Sequence, residues 1–179
     1  GLLRGQQGTE VEMAAGAGVG ATLVLLDPEA GRFRTTIGER GLPRLARIGP
    51  SGMPPGGRQF SERRFEAHGL HGRPWSPARL KVRTTDAGRI IDWTPRVRLG
   101  GDVWDLEPVP VDPERFRVRV TQDGAERRVL ETETTSTLYA AADIAEDFPD
   151  GPGPGVMIRV AQFGTGFGWG VEAQTPLIP

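Results

Sequence analysis

Cysteine is absent from the 179 residues, lysine occurs once, at Lys81, and no apolar run approaches membrane-spanning length. Without cysteine there is no disulfide framework and no zinc ribbon, and the redox compartment cannot be read from the chain. A helix that crosses a bilayer needs roughly 18–20 consecutive apolar residues, so no membrane span is expected. An excess of one charge is also missing: 22 cations, all but one of them arginine, meet 23 carboxylates, and the formal net charge is −1. That balance creates no overall field to draw in nucleic acid or an anionic membrane, so no specific nucleic-acid partner is expected. The opening residues lack the basic-then-apolar order of a secretory leader. The chain is expected to be soluble and, because it opens on Gly1 rather than methionine, to be a processed product or a piece of a longer polypeptide.

What the chain has instead is glycine (26) and proline (16), together nearly double the usual level of about 12%. Turns are favoured over helices. The 37% apolar residues fall in short β-type runs, enough for a modest core and too many for a disordered chain. The expectation is an all-β chain in two parts: residues 1–72 as a small Gly/Pro-rich β unit and hinge, and residues 73–179 as a sandwich with a C-terminal tail.

In the first part, Thr22 to Asp27 reads as a buried strand stopped by Asp27-Pro28, with further short strands at Arg32 to Ile37, Arg44 to Ile48 and Arg58 to Ala67. A core drawn from so few apolar residues rarely supplies more than about 3–5 kcal/mol, so this unit is expected to depend on a neighbour. Gly69 to Pro77 reads as a turn-rich hinge. From Ala78 the period-two pattern sharpens. Leu80 and Val82 share one face; Ile91 and Trp93 share another; Phe116, Val118 and Val120 alternate with Arg115, Arg117 and Arg119. Arg127 to Glu131 and Thr137 to Ala141 add weaker strands, Val156, Ile158 and Val160 supply another core face, and Val171 with Ala173 closes the set. Leu138 to Phe148 predicts a short helix, ended by Gly151-Pro152-Gly153-Pro154-Gly155.

Pro77, then a strand, then Trp93 on the next strand, with Val156 to Gln162 followed by Gly166-Phe167-Gly168, resembles a fibronectin type III domain. The resemblance implies an antiparallel β-sandwich with the Trp93 ring between its sheets. It departs where Val156 stands in place of the family's tyrosine. A narrower resemblance spans most of the chain: Leu3 to Glu10, Leu23 to Asp27, Trp93-Thr94-Pro95-Arg96-Val97-Arg98-Leu99-Gly100-Gly101-Asp102-Val103-Trp104, and Val160-Ala161-Gln162. In that order they resemble the C-terminal region of the tail-tip, or host-specificity, protein of gene transfer agents and related siphophages. Pro95 and Val97 depart from the polar or basic residues more usual there. The resemblance implies a non-enzymatic component of a virion-borne tail tip or baseplate. Its partners would be other tail or baseplate proteins in a symmetric homo-oligomer, a trimer being one form, and a host surface receptor or glycan.

No cofactor, catalytic or metal site is expected. Gly16-Ala17-Gly18-Val19-Gly20 has its strand after the glycines, whereas a dinucleotide loop needs one before them and a helix behind. His68 and His71 lack the further ligands that zinc requires. Gly49-Pro50-Ser51-Gly52-Met53 lacks the last glycine of a nucleophile elbow. The acidic groups Asp102/Asp105, Glu131/Glu133 and Glu146/Asp147/Asp150 have ordinary places at turns and strand ends. The arginine row 115/117/119 has acidic neighbours in sequence and reads as a solvated face that discourages edge pairing. Partner binding is assigned to Trp104, on a long proline-bearing connection from Val97 to Arg115, and to Phe163 and Phe167 in a glycine-rich loop at the same end. The competing reading of the same fold is a carbohydrate-binding accessory sandwich attached to a cell-wall or polysaccharide hydrolase.

Overall fold

A computed structural model describes residues 10–21, 35–54, 56–97 and 114–178. The chain divides into two compact units, Gly1–His71 and Gly72–Pro179. The second unit is an all-β, fibronectin-III-like antiparallel sandwich, and the first carries a small two-stranded β element.

In the first unit β1 (Pro43–Ile48) pairs antiparallel with β2 (Ser61–Glu66). Two 3-10 turns, Glu10–Ala15 and Ile37–Glu39, precede the pair. The expected strand at Thr22 to Asp27 lies outside the described residues, as do residues 32–34 of the next one. The remainder of that second expectation is corrected: Ile37 opens a 3-10 turn. The reason is local, because Thr36 N–H donates to Glu39 Oε2 at 2.8 Å and Glu39 N–H to Thr36 O at 3.0 Å, a Thr-x-x-Glu capping arrangement that closes a helical turn. Arg58 to Phe60 likewise belong to the turn before β2.

No described side chain of this unit is fully buried, and Leu42, Leu45, Ile48 and Met53 are exposed. The cross-strand pair Arg47–Glu62, 2.8 Å apart, is half in water and adds little. A lone two-stranded hairpin is marginal in water. Residues 1–71 expressed alone should therefore show no cooperative thermal transition; sharp, dispersed amide NMR signals from that segment would contradict this.

The sandwich is built from a three-stranded sheet, β3-β4-β7, and a four-stranded path, β10-β8-β5-β6, with the short β9 pairing on β8. Its strands are β3 (Ala78–Thr85), β4 (Gly88–Thr94), β5 (Phe116–Gln122), β6 (Ala125–Thr132), β7 (Ser136–Ala140), β8 (Val156–Gly164), β9 (Gly168–Trp169) and β10 (Ala173–Pro176). Successive hairpins alternate between the sheets: β3-β4 in one, β5-β6 in the other, then β7 back and β8 across again. This order is what makes the sandwich fibronectin-III-like. The β5-β6 turn is Asp123-Gly124, both residues at positive φ (50° and 85°), the conformation that a two-residue hairpin matched to strand twist demands.

The two inner faces meet in one core of Ile91, Trp93, Phe116, Val118, Val120, Tyr139, Phe148, Val156, Ile158, Val160 and Leu177, with Leu80, Val82, Leu130 and Ile144 against it. The Trp93 ring lies edge-on to Phe116 at 5.3 Å. Three expectations need adjustment. β7 ends at Ala140, and the helix α1 runs only over Ala141–Asp147. Val171 is not in a strand; the last strand is β10, and Leu177 just beyond it fills the core.

Tyr139, fully buried near the end of β7, donates its hydroxyl to Asp147 Oδ2 at 2.5 Å. Arg128 on β6 reaches the same helix, pairing with Asp143 (3.1 Å), Glu146 (2.7 Å) and Asp147 (2.6 Å). Arg128 holds Asp147 below the ordinary carboxylate range. Burial, with Asp147 beside it, pushes the Tyr139 phenol up. The helix has no side-chain N-cap, but Ala141 N–H donates to Ala87 O at 2.8 Å, so the β3-β4 turn ties its first residue.

Candidate binding surface

The side chains of β5 that do not enter the core point to the far side of the four-stranded sheet. There Arg115 and Arg117 converge on one carboxylate. Arg115 donates to Glu131 Oε2 through Nε (3.1 Å) and Nη2, and Arg117 donates to Oε1 through Nε (3.3 Å) and Nη2 (3.2 Å). The register dictates this, since Arg117 is directly opposite Glu131 across the β5-β6 ladder. Arg115, and then Arg117, hold the Glu131 carboxyl below its usual range. Further along the row Arg119 pairs with Glu126 (2.7 Å) and Glu172 (2.8 Å), and Arg159 on β8 reaches Glu172 at 3.5 Å. The row keeps its solvent exposure and is also braced by carboxylates from β6 and from the β9-β10 connection; its expected role against edge pairing is corrected, because β5 is paired on both sides, with β6 and β8.

Two rings complete the surface. β8 and β9 form a hairpin in which Phe163 is opposite Trp169, and the rings meet edge to face at 5.2 Å. Arg117 lies 4.1 Å over the Trp169 ring, and Arg115 lies 5.4 Å from Phe163 and 5.5 Å from Trp169. A cation over an aromatic face is worth about 0.5–1 kcal/mol at an exposed site, more when desolvated. The hairpin is held at its base by the segment before β3. Pro74 sits so close to Gly164 and Gly170 that a β-carbon on either would come within 2.6 Å of its ring, and Val171 N–H donates to Pro74 O at 3.2 Å. Near the same end, Arg96 stacks 4.4 Å over Trp75, and its N–H donates to the side chain of the buried Gln162 at 3.4 Å.

Of the three expected contact residues, Phe163 belongs to this cluster. Phe167 is half-buried at the hairpin tip, its N–H on Gly164 O at 3.0 Å. Trp104, with Pro108, Pro110 and Pro113, lies outside the described residues. Trp169 is the member not anticipated. The available signal was its place in Phe163-Gly-Thr-Gly-Phe-Gly-Trp169, where the glycines mark a tight hairpin that sets the two aromatics across from each other.

His68 is exposed, its Nδ1 3.5 Å from Glu66, and His71 lies in the 3-10 turn Leu70–Gly72. Ser51 is exposed in the β1-β2 connection, and Gly16 to Gly20 follow a 3-10 turn rather than a strand. Asp102 and Asp105 lie outside the described residues, Glu133 is exposed after β6, and Glu146 and Asp147 are engaged by Arg128. Among the described residues no group of three or more His, Asp or Glu side chains is placed to hold a metal ion, and no helix is long and apolar enough to cross a membrane.

No family model and no curated protein matches the chain. Among solved structures, domains d3-d4 of the rat CD45 extracellular region are similar at 11% identity and a TM-score of 0.42, over 87% of this chain and 73% of that one. The fold assignment rests on the strand order of the sandwich itself.

Proposed function

We propose that this chain is a structural and adhesive component of a phage-like tail tip or baseplate, acting through non-covalent contacts and not as an enzyme. In this reading it belongs to the virion, in a symmetric assembly with other tail proteins. The face formed by Phe163, Trp169, Arg115 and Arg117 meets a neighbouring tail protein or the host surface. The observation that carries the reading is the bracing of that face. Two rings and two guanidiniums are fixed by Glu131 and by the Pro74 contacts before any partner arrives, which lowers the entropy lost on binding. Aromatic residues and arginine are also the residue types in which interface hot spots are richest. The order of landmarks along the sequence supplies the tail-tip context.

Trp169→Ala tests it. The ring is partly buried and lies outside the core cluster, so the variant should have a lowered melting temperature and still fold. Particle assembly or host adsorption should drop by more than about tenfold, as for loss of one hot-spot residue. Normal assembly and adsorption by a folded Trp169→Ala chain would overturn the proposal.

A further inference from the structure

Each guanidinium of the Arg115–Arg117 pair spends only its Nε and Nη2 donors on Glu131. A guanidinium carries five N–H groups, and among the described residues neither Nη1 has a partner. The two side chains remain 44% and 33% exposed, so those donors are within reach from solvent. Among the described residues paired here, two cations meet one carboxylate, a local excess of one positive charge. Farther along the same face, Arg119 and Arg159 are matched by Glu126 and Glu172. The excess therefore sits beside Phe163 and Trp169. The way Glu131 is held shows what these forks accept: a carboxylate.

We infer that this corner of the sheet is a site for a carboxylate-bearing sugar, a hexuronate unit of an acidic surface polysaccharide. The sugar carboxylate would take the Nη1 donors of Arg115 and Arg117 while an apolar ring face packs on the Phe163–Trp169 pair. The inference deepens the proposed adhesive role and rests on it. An acidic sugar fits better than a broad protein interface. A standard protein contact buries on the order of 800 Å² per partner and would have to strip water from the adjoining Arg119–Glu126–Glu172–Arg159 row, whose charges are already paired and costly to desolvate. A single sugar unit needs only the unspent donors and the two rings.

Calorimetric titration of the whole chain with trigalacturonate, its fully methyl-esterified form and triglutamate tests the assignment. Trigalacturonate should bind. The ester, which keeps the rings but loses the charge, and triglutamate, which keeps the charge but lacks the rings, should each bind at least about tenfold more weakly. Raising the salt from about 0.05 M to about 0.5 M should weaken trigalacturonate by a similar factor. The double variant Arg115→Gln/Arg117→Gln, with its melt checked, should lose binding; if it does not fold, the ester and salt comparisons on the unmodified chain decide. Failure of trigalacturonate to bind, equal binding of the ester, or indifference to salt overturns the assignment. Equal binding of triglutamate replaces the sugar with an acidic peptide and overturns it too. If trigalacturonate fails while Trp169→Ala still abolishes adsorption, only the ligand class falls and the adhesive role stands.

Discussion

Trp93→Ala leaves the sandwich of residues 72–179 unfolded or barely folded at room temperature. Trp93 is only 5% exposed, lies between the two sheets and packs edge-on against Phe116, which is itself fully buried. Truncating a buried tryptophan costs about 3–5 kcal/mol in lost transfer energy and residual cavity, out of the ~5–15 kcal/mol that holds a domain of this size together. Relaxation offers little relief, because the neighbours of the cavity are strand residues fixed by ladders on both sides. Thermal unfolding followed by far-UV circular dichroism measures the effect. A melting temperature within a few degrees of the parent would contradict the sandwich core described above. Trp93→Phe, which keeps a ring against Phe116, should recover a large part of the loss.

Gly88→Ala is expected to be comparably severe, although it adds one methyl group. Gly88 opens β4 at a φ of +136°, a backbone region that side chains disfavour, and its α-carbon faces the end of β7. A β-carbon there would fall on the Tyr139 carbonyl oxygen and lie 2.7 Å from Ala141 N. Both obstacles are backbone, Tyr139 in the ladder that pairs β4 with β7 and Ala141 at the start of α1 with its N–H tied to Ala87 O, so neither can swing aside. Overpacking costs about 1–3 kcal/mol, and the strained backbone adds about 1–3 kcal/mol more. Gly124→Ala separates the two terms: Gly124 also has positive φ, +85°, but nothing lies within 4 Å of its added β-carbon. It should lose about 1 kcal/mol for conformation alone. Chemical denaturation of the two variants should therefore place the Gly88→Ala midpoint well below that of Gly124→Ala; equal midpoints would show that the close approach to β7 is not present.

The parts of this fold legible in the sequence are those where one physical contrast repeats along the strand. Phe116, Val118 and Val120 are buried while Arg117 and Arg119 keep to the outer face, so hydrophobicity alternates and the strand announces itself. Val156, Ile158 and Val160 do the same. The Tyr139–Asp147–Arg128 contacts were not legible, because they join positions 8 and 19 residues apart through partners that periodicity does not register. The bracing of Arg115 and Arg117 escaped for a similar reason: Glu131 is their partner only through the β5-β6 register, and that register depends on the turn at Asp123-Gly124. Ile37 was misassigned because the alternation of Arg32 to Ile37, ending in the β-branched run Thr35-Thr36-Ile37, outweighed a Thr-x-x-Glu signal that a helical turn explains better. For the candidate surface, Phe163 was visible as an aromatic near glycines, whereas Trp169 became a neighbour only once the glycines were seen to close a hairpin.

The seating of Pro74 between Gly164 and Gly170 has a mechanical consequence. Tension arriving along the backbone from the Gly72 side meets Pro74 before it meets β3, and Pro74 passes the load to the β8-β9 hairpin through close contact and the Val171–Pro74 hydrogen bond. The first strand is thereby shielded from being peeled away one hydrogen bond at a time. Force is delivered instead to β8, a central strand bonded to β5 on one side and to β10 on the other, where many bonds must yield together. A module clamped in this way resists being pulled open from its leading end, and the clamp closes on the same hairpin that carries Phe163 and Trp169.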